Sequence, residues 1–229
     1  MYKNLLTKLN NGENLSQDES KAFIDLVFEG VIPTEILTES LILLNKNGFG
    51  SEELTGFARS MRNASQKVIC NKDIVDNCGT GGDGLKTLNI STTVALLLSS
   101  VGIPIAKHGN RAASSDSGSS DIIGKLNIKS EKSEFKLHQN IKKNKFTYLN
   151  APLFYPDLAK VAQVRKLIQT KTIFNYMGPT LNPLGAKYQI LGTINKSSAQ
   201  IMTKILSRIN LKGFNVFYSH DGLDEISLF

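Results

Sequence analysis

Two stretches hold residue types that could do chemistry together: Gly79-Thr80-Gly81-Gly82-Asp83 and Lys107-His108-Gly109-Asn110-Arg111. The first follows the β-branched run Ile74-Val75-Asp76 and offers bare backbone N–H groups with one carboxylate. The second follows Ile103-Pro104-Ile105-Ala106 and offers permanent positive charge. Leaving the ends of neighbouring strands as loops, the two would converge on one crevice of an open α/β sheet, where such folds bind ligands. That chemistry suits a phosphorylated sugar rather than an apolar molecule.

Residues 79–92 read as one phosphate-handling unit. Glycines let the backbone approach a ligand closely. Asn89, Ser91 and Thr92 cluster at a helix N-terminus, where unpaired N–H groups and the helix dipole favour anions. Gly79, Gly81 and Gly84 also satisfy G-x-G-x-x-G, but the dinucleotide fingerprint needs the helix to open at the loop, and here it opens near Ser91. A Walker loop fails because Leu85 separates Gly84 from Lys86. Asp83 beside a phosphate would be repulsive unless ribose hydroxyls or a metal lie between. A plain helix cap would explain Ser91 or Thr92 alone, though not the whole run.

Lys107 and Arg111, followed by the hydroxyl-rich Ser114 to Ser119, read as a second anion cradle; the bland alternative is a solvated basic loop. His108 is assigned to loop structure before proton transfer. Arg165 sits at an expected helix start, and its planar fork suits a carboxylate, although pattern alone makes it a surface cation. Asp224-Glu225, after the strand 214–219, could hold Mg²⁺ with phosphate oxygens; in isolation an exposed acidic turn is the simpler account.

The elements that must position these groups fall into two regions. Ser16-Gln17-Asp18-Glu19 has the capping-box form, Pro33 suits a first helical turn, Gly48 suits a terminator, and Ser51 opens a further helix. Residues 1–66 are therefore expected to form a small helical domain, joined by about 165–185. From residue 73 to 229, strands at 73–77, 103–107, 146–149, 188–193 and 214–219 alternate with helices at 92–101, 118–126 and 133–143. Arg165–Tyr176 reads as helix-like. The fold class is thus α/β, a helical domain plus a larger domain with a mainly parallel central sheet.

A hydrophobic content of 41% and charged content of 21% are ordinary for a globular chain. No apolar run is long enough to span a membrane, and no signal-peptide core opens the chain, so no membrane is expected. Two cysteines, Cys70 and Cys78, lack metal-ligand spacing and make a reducing cytoplasm the expected location. The net charge of +7 could serve nucleic acid or anionic small substrates.

Taken in order, certain segments resemble the anthranilate phosphoribosyltransferases of tryptophan synthesis. They are Asp76…Gly79-Thr80-Gly81-Gly82-Asp83-Gly84, Asn89-Ile90-Ser91-Thr92, Lys107-His108-Gly109-Asn110-Arg111, Ser114-Ser115…Gly118-Ser119…Asp121 and Val164-Arg165. Thr172-Ile173-Phe174-Asn175, Gly178-Pro179, Asn182-Pro183 and Gly222-Leu223-Asp224-Glu225 complete the set. The resemblance implies transfer of a phosphoribosyl group from phosphoribosyl pyrophosphate (PRPP) to the amine of anthranilate, and a homodimer through the helical domain. It implies PRPP contacts from Gly79, Gly82, Asp83, Thr87, Asn89, Ile90, Ser91 and Thr92, and from Lys107, His108, Gly109, Asn110, Arg111, Ser115 and Ser119. Gly79, Asn110 and Arg165 would meet anthranilate, while Ser91, Asp224 and Glu225 would hold Mg²⁺. Departure of pyrophosphate from ribose needs no protein nucleophile, only positioning and electrostatic stabilisation.

Family members continue beyond the Asp-Glu pair. The expectation is a chain incomplete at its C-terminus, Asp224 and Glu225 on a frayed end, and weak or absent turnover. Two other functions compete. A pyrimidine nucleoside phosphorylase of the same scaffold is disfavoured by the Lys107–Arg111 signature and by Arg165. A nucleic-acid-binding paralogue without transferase activity draws on the basic charge, but the chain has no Trp and an aromatic content of 7%, which offers no evident stacking platform.

Overall fold

In this computed structural model, the described residues are 2–65, 68, 70, 72–81, 88–110, 118–168, 170 and 172–228. The chain divides into two compact units, one of Met1–Ser65 with Tyr155–Thr180, the other of Gln66–Phe154 with Leu181–Phe229. Among the described residues, no helix is long and apolar enough to cross a membrane.

The first unit is built from α1 (Tyr2–Asn10), α2 (Gln17–Phe28), α3 (Thr34–Asn47) and α4 (Ser51–Ala64). Local chemistry starts and stops them. The Ser16 hydroxyl accepts the Glu19 N–H at 3.2 Å while the Glu19 carboxylate accepts the Ser16 N–H at 2.8 Å, closing the capping box of α2. Gly48, at φ +78°, ends α3. Gly56 lets α4 lie directly on α2, because a Cβ there would strike the Gln17 carbonyl and Ser20. The buried faces supply a core that includes Leu9, Phe23, Ile24, Leu41, Leu54 and Phe57.

A later segment completes this unit. It holds α9 (Leu158–Ile168), which packs on α3, and 3₁₀ turns at Ile173–Tyr176 and Gly178–Thr180. The segment spans 155–180, where about 165–185 was expected, and Arg165 lies in the last turn of α9 and not at a helix start. The helix opens just after Pro156, whose fixed φ suits a first turn. It ends at Ile168, so Arg165–Tyr176 is not one helix.

The second unit runs β1 (Val75–Gly79), α5 (Ile90–Ser100), β2 (Ile105–Gly109), α6 (Ser119–Lys125), α7 (Glu134–Asn144), β3 (Phe146–Asn150) and α8 (Ala151–Phe154). It resumes with β4 (Tyr188–Gly192), α10 (Lys196–Leu206) and β5 (Gly213–Phe217). The five strands are parallel, in the order β3-β2-β1-β4-β5. Strand order reverses across β1 and β4, the place where an open α/β sheet receives ligands. Ala95, Ile105, Ile123, Phe146 and Tyr148 form a buried cluster between the sheet and its helices.

Two strand boundaries differ from expectation in the same direction. β1 and β2 each begin and end two residues later than the expected 73–77 and 103–107. Gly79, Lys107, His108 and Gly109 therefore belong to strands and not to the loops beyond them. Pairing decides this: Gly79 lies opposite Gly192, and Lys107 to Gly109 lie opposite Tyr148 to Asn150.

Candidate functional site

The carboxyl ends of β1 and β4 carry glycines where the chain turns away from the sheet. The Thr80 N–H donates to the Gly192 carbonyl at 2.9 Å, and Gly81 turns at φ +67°. The Gly81 N–H donates to Asp224 Oδ2 at 3.0 Å. Asp224 lies so close above the two strand ends that neither Gly79 nor Gly192 has room for a side chain. A Cβ on Gly79 would sit 2.5 Å from Asp224 Oδ2, and one on Gly192 would fall on the Asp224 carbonyl.

The N-terminus of α5 faces the same loop. Asn89 is its N-cap residue, and the Thr92 and Thr93 N–H groups donate to the Asn89 carbonyl at 3.1 and 3.0 Å. Ile90 opens the helix. The Ser91 N–H is taken from outside the helix, donating to Glu225 Oε1 at 3.2 Å. A carboxylate thus already occupies the anion-favouring end of α5. Glu225 and Asp224 are tied through their loop: the Ser219 hydroxyl donates to the Glu225 carbonyl, and the Ser227 N–H donates to Ser219 Oγ at 3.1 Å. The expected frayed end is therefore a hydrogen-bonded loop.

Lys107 is 1% exposed and points along the sheet toward this helix end. Its Nζ donates to the Asn77 carbonyl at 2.8 Å and to Ser91 Oγ at 3.3 Å. Burial lowers its pKa, while Asp76, Cys78 and Glu225 pull it up. Asp76 supplies a buried counter-charge from β1: Oδ1 accepts the His108 N–H at 3.2 Å and Oδ2 accepts Asn182 Nδ2 at 2.9 Å. Burial raises the Asp76 carboxyl to about 6, against the lowering effects of Asn182, Lys107 and the His108 N–H. Asn182 Nδ2 also donates to the Ala106 carbonyl at 2.8 Å.

A hydroxyl cluster lies beside the end of β2. Thr92 Oγ1 donates to Ser119 Oγ at 3.2 Å, joining the first turns of α5 and α6. The Ser120 N–H donates to the Asn110 carbonyl at 3.3 Å, and the Ser120 and Tyr148 hydroxyls share a hydrogen bond of 2.7 Å. A Cβ on Gly109 would lie 2.9 Å from the Tyr148 hydroxyl and 3.0 Å from the Ser119 Cβ, so a side chain there would push these groups aside.

Asn89, Ile90, Ser91, Thr92, Lys107, Asp224 and Glu225 thus gather with Gly79 at the carboxyl ends of the strands, and His108, Gly109, Asn110 and Ser119 flank them. Gly82, Asp83, Thr87, Arg111 and Ser115 lie outside the described residues. Arg165 is in the helical unit, half-buried on α9. Burial lowers its pKa, and no carboxylate among the described residues pairs with it.

Four residues of this arrangement had no role in the sequence reading: Asp76, Asn77, Asn182 and Gly192. A carboxylate inside an apolar strand run was the signal available for Asp76, since such a group must find buried partners. The oxygen donors Asp224, Glu225 and Ser91 suit Mg²⁺, which takes one or two carboxylates together with substrate phosphates. Among the described residues, no group of three or more His, Cys, Asp or Glu side chains is arranged to hold a metal ion.

Comparison with known proteins gives two family models, both described as glycosyl transferase family. The helical bundle domain matches residues 3–65 and the a/b domain matches residues 71–229. An anthranilate phosphoribosyltransferase of Pelagibacter ubique is 40% identical over 222 residues, covering 97% of this chain and 67% of the relative. The solved anthranilate phosphoribosyltransferase of Thermus thermophilus superposes with a TM-score of 0.90 at 32% identity, over 97% of this chain and 68% of that one. The Saccharomyces cerevisiae enzyme in complex with PRPP and Mg superposes with a TM-score of 0.86 at 28% identity, over 97% of this chain and 66% of that one. The chain spans about two thirds of the length of the curated relatives it matches.

Proposed function

The chain belongs to the anthranilate phosphoribosyltransferase family of glycosyl transferases, and we propose that it transfers the phosphoribosyl group of PRPP to the amine of anthranilate. The products are N-(5-phosphoribosyl)anthranilate and pyrophosphate, in tryptophan biosynthesis. One observation carries the reading: α5's N-terminus, the Gly79–Gly81 turn, Lys107 and the Asp224–Glu225 pair meet at the ends of the strands.

The donor would be held by Gly79, Gly82, Asn89, Ile90, Ser91 and Thr92 on one side, and by Lys107, His108, Gly109 and Arg111 on the other. Asp83, Thr87, Asn110, Ser115 and Ser119 would complete the contacts to the donor. Mg²⁺ would be held by Ser91, Asp224 and Glu225, where it supplies charge neutralisation on the leaving pyrophosphate. Gly79 and Asn110 would line the acceptor site, and the Arg165 fork would take the anthranilate carboxylate.

With these contacts the chain's work is alignment and electrostatics. The bond from the anomeric carbon to pyrophosphate breaks while the anthranilate nitrogen attacks, and the amine then gives up its proton. An N-terminal helix dipole and a buried ammonium both oppose the negative charge that collects on the leaving group. Because Lys107 is already bonded within the protein, it needs little reorganisation to present that charge. The protein is further proposed to be cytoplasmic and to form a homodimer through its helical unit.

Loss of anthranilate fluorescence in purified protein tests the activity. A loss that needs both PRPP and Mg²⁺, and that disappears in Arg165→Ala, supports the transferase. Salt-sensitive retention of DNA with no change in fluorescence would support the binding paralogue instead.

A further inference from the structure

β1 and β2 are paired at Val75 and Ile105, with the Val75 N–H donating to the Pro104 carbonyl at 2.9 Å. Beyond that pair, three main-chain groups that a continuing parallel ladder would use are taken by side chains. The Ala106 carbonyl accepts Asn182 Nδ2, the His108 N–H donates to Asp76 Oδ1, and the Asn77 carbonyl accepts Lys107 Nζ. On its other edge β1 keeps a full register with β4, from Val75 opposite Tyr188 to Gly79 opposite Gly192. The replacement is therefore local to the β1–β2 side.

We propose that Asp76 and Asn182 form a buried wedge that holds the carboxyl ends of β1 and β2 apart and so aims Lys107 at the N-terminus of α5. Both are positioning residues for the phosphate site, an assignment that rests on the function proposed above. Three features require the pair to act as a unit. Asn182 Nδ2 bridges Asp76 and the Ala106 carbonyl, so losing either side chain strands a buried partner. Asn182 is itself oriented by the Leu184 N–H, which donates to Asn182 Oδ1 at 3.0 Å. Asp76 meets the His108 N–H, one residue beyond Lys107, and its charge opposes the lowering of the Lys107 pKa by burial. A continued ladder would bring the His108 N–H to the Asn77 carbonyl, which would then be shared between that N–H and Lys107.

Two readouts on the full chain test this. Amide exchange of His108 reports the wedge without any ligand, and calorimetric titration with PRPP and Mg²⁺ reports its consequence. Asp76→Ala is expected to remove protection at the His108 amide and to weaken PRPP binding by about tenfold or more, as changes behind a ligand-contacting group do. Asn182→Ala should weaken binding comparably, and the double variant should be little worse than either single one. Leu137→Ala, a core truncation in α7, should lower stability and leave both readouts unchanged. Unchanged His108 exchange in Asp76→Ala, or unchanged PRPP affinity in both folded variants, overturns the wedge. Should Asp76→Ala fail to fold, Asn182→Ala carries the same two expectations. If the unsubstituted protein binds no PRPP, the proposed function has failed, and His108 exchange still decides whether the wedge exists.

Discussion

A carboxylate buried at Asp76 makes stability depend on pH in a defined direction. Its pKa rises from 3.8 to about 6 on folding, so the fold favours the protonated form. That contribution is fully present below pH 3.8 and is lost as pH rises through about 6. The loss amounts to about 3 kcal/mol. Urea unfolding at pH 4 to 7 should therefore show the natural protein losing stability relative to Asp76→Asn, whereas parallel curves would exclude the effect. Gly192 is the second residue-scale case. Gly192→Ala places a methyl group on the Asp224 main chain and should displace the acidic loop from the strand ends. The expected cost is about 1–3 kcal/mol of stability, typical of overpacking. Mg²⁺-dependent PRPP binding should also fall, and an unchanged affinity by calorimetry would show that the acidic loop does not depend on this glycine.

Among the elements, α10 tests how far local chemistry controls a helix. Asn195 Oδ1 accepts the Ser198 N–H at 2.8 Å, so Asn195→Ala should cost about 1 kcal/mol in urea unfolding. Signals of this reach explain what was readable beforehand: the Ser16–Glu19 box and the Gly48 terminator act within a few residues of themselves. Strand ends obey partners far along the chain. Nothing near Lys107 announces that its strand runs on to Gly109, because Tyr148 to Asn150 fix that register while Asn77 and Ser91 fix the Lys107 ammonium. Asn182 is 106 residues from the carboxylate it holds, beyond any window of periodicity. The charges and glycines of the site were thus legible from their clustering, whereas the buried polar scaffold beneath them needed the sheet. Arg165 is legible as a candidate carboxylate partner, whereas its place in the last turn of α9 follows from a helix that opens at Leu158.

At the scale of the molecule, one compact unit is assembled from two separated stretches of chain. The later stretch contributes Val161, Val164, Ile173 and Phe174 to the core, and Phe174 lies 5.6 Å from Phe57, ring to ring. Burying such side chains contributes about 1.5–3 kcal/mol each, enough together to rival the net stability of an ordinary domain. Residues 2–65 produced alone should therefore lose cooperative unfolding by circular dichroism, and a peptide of residues 155–180 added in trans should restore it. A restored fragment that was already cooperative without the peptide would contradict this. Light scattering will show whether the full chain is the dimer proposed above. The same division sets a schedule for biosynthesis. The first four helices are made before the segment that finishes their core, which begins about ninety codons after α4 ends. At about 5–20 residues per second they wait for several seconds or longer, exposing the apolar surface that α9 will cover. Nascent chains in that interval are thus the form of this protein with the most apolar surface open to solvent.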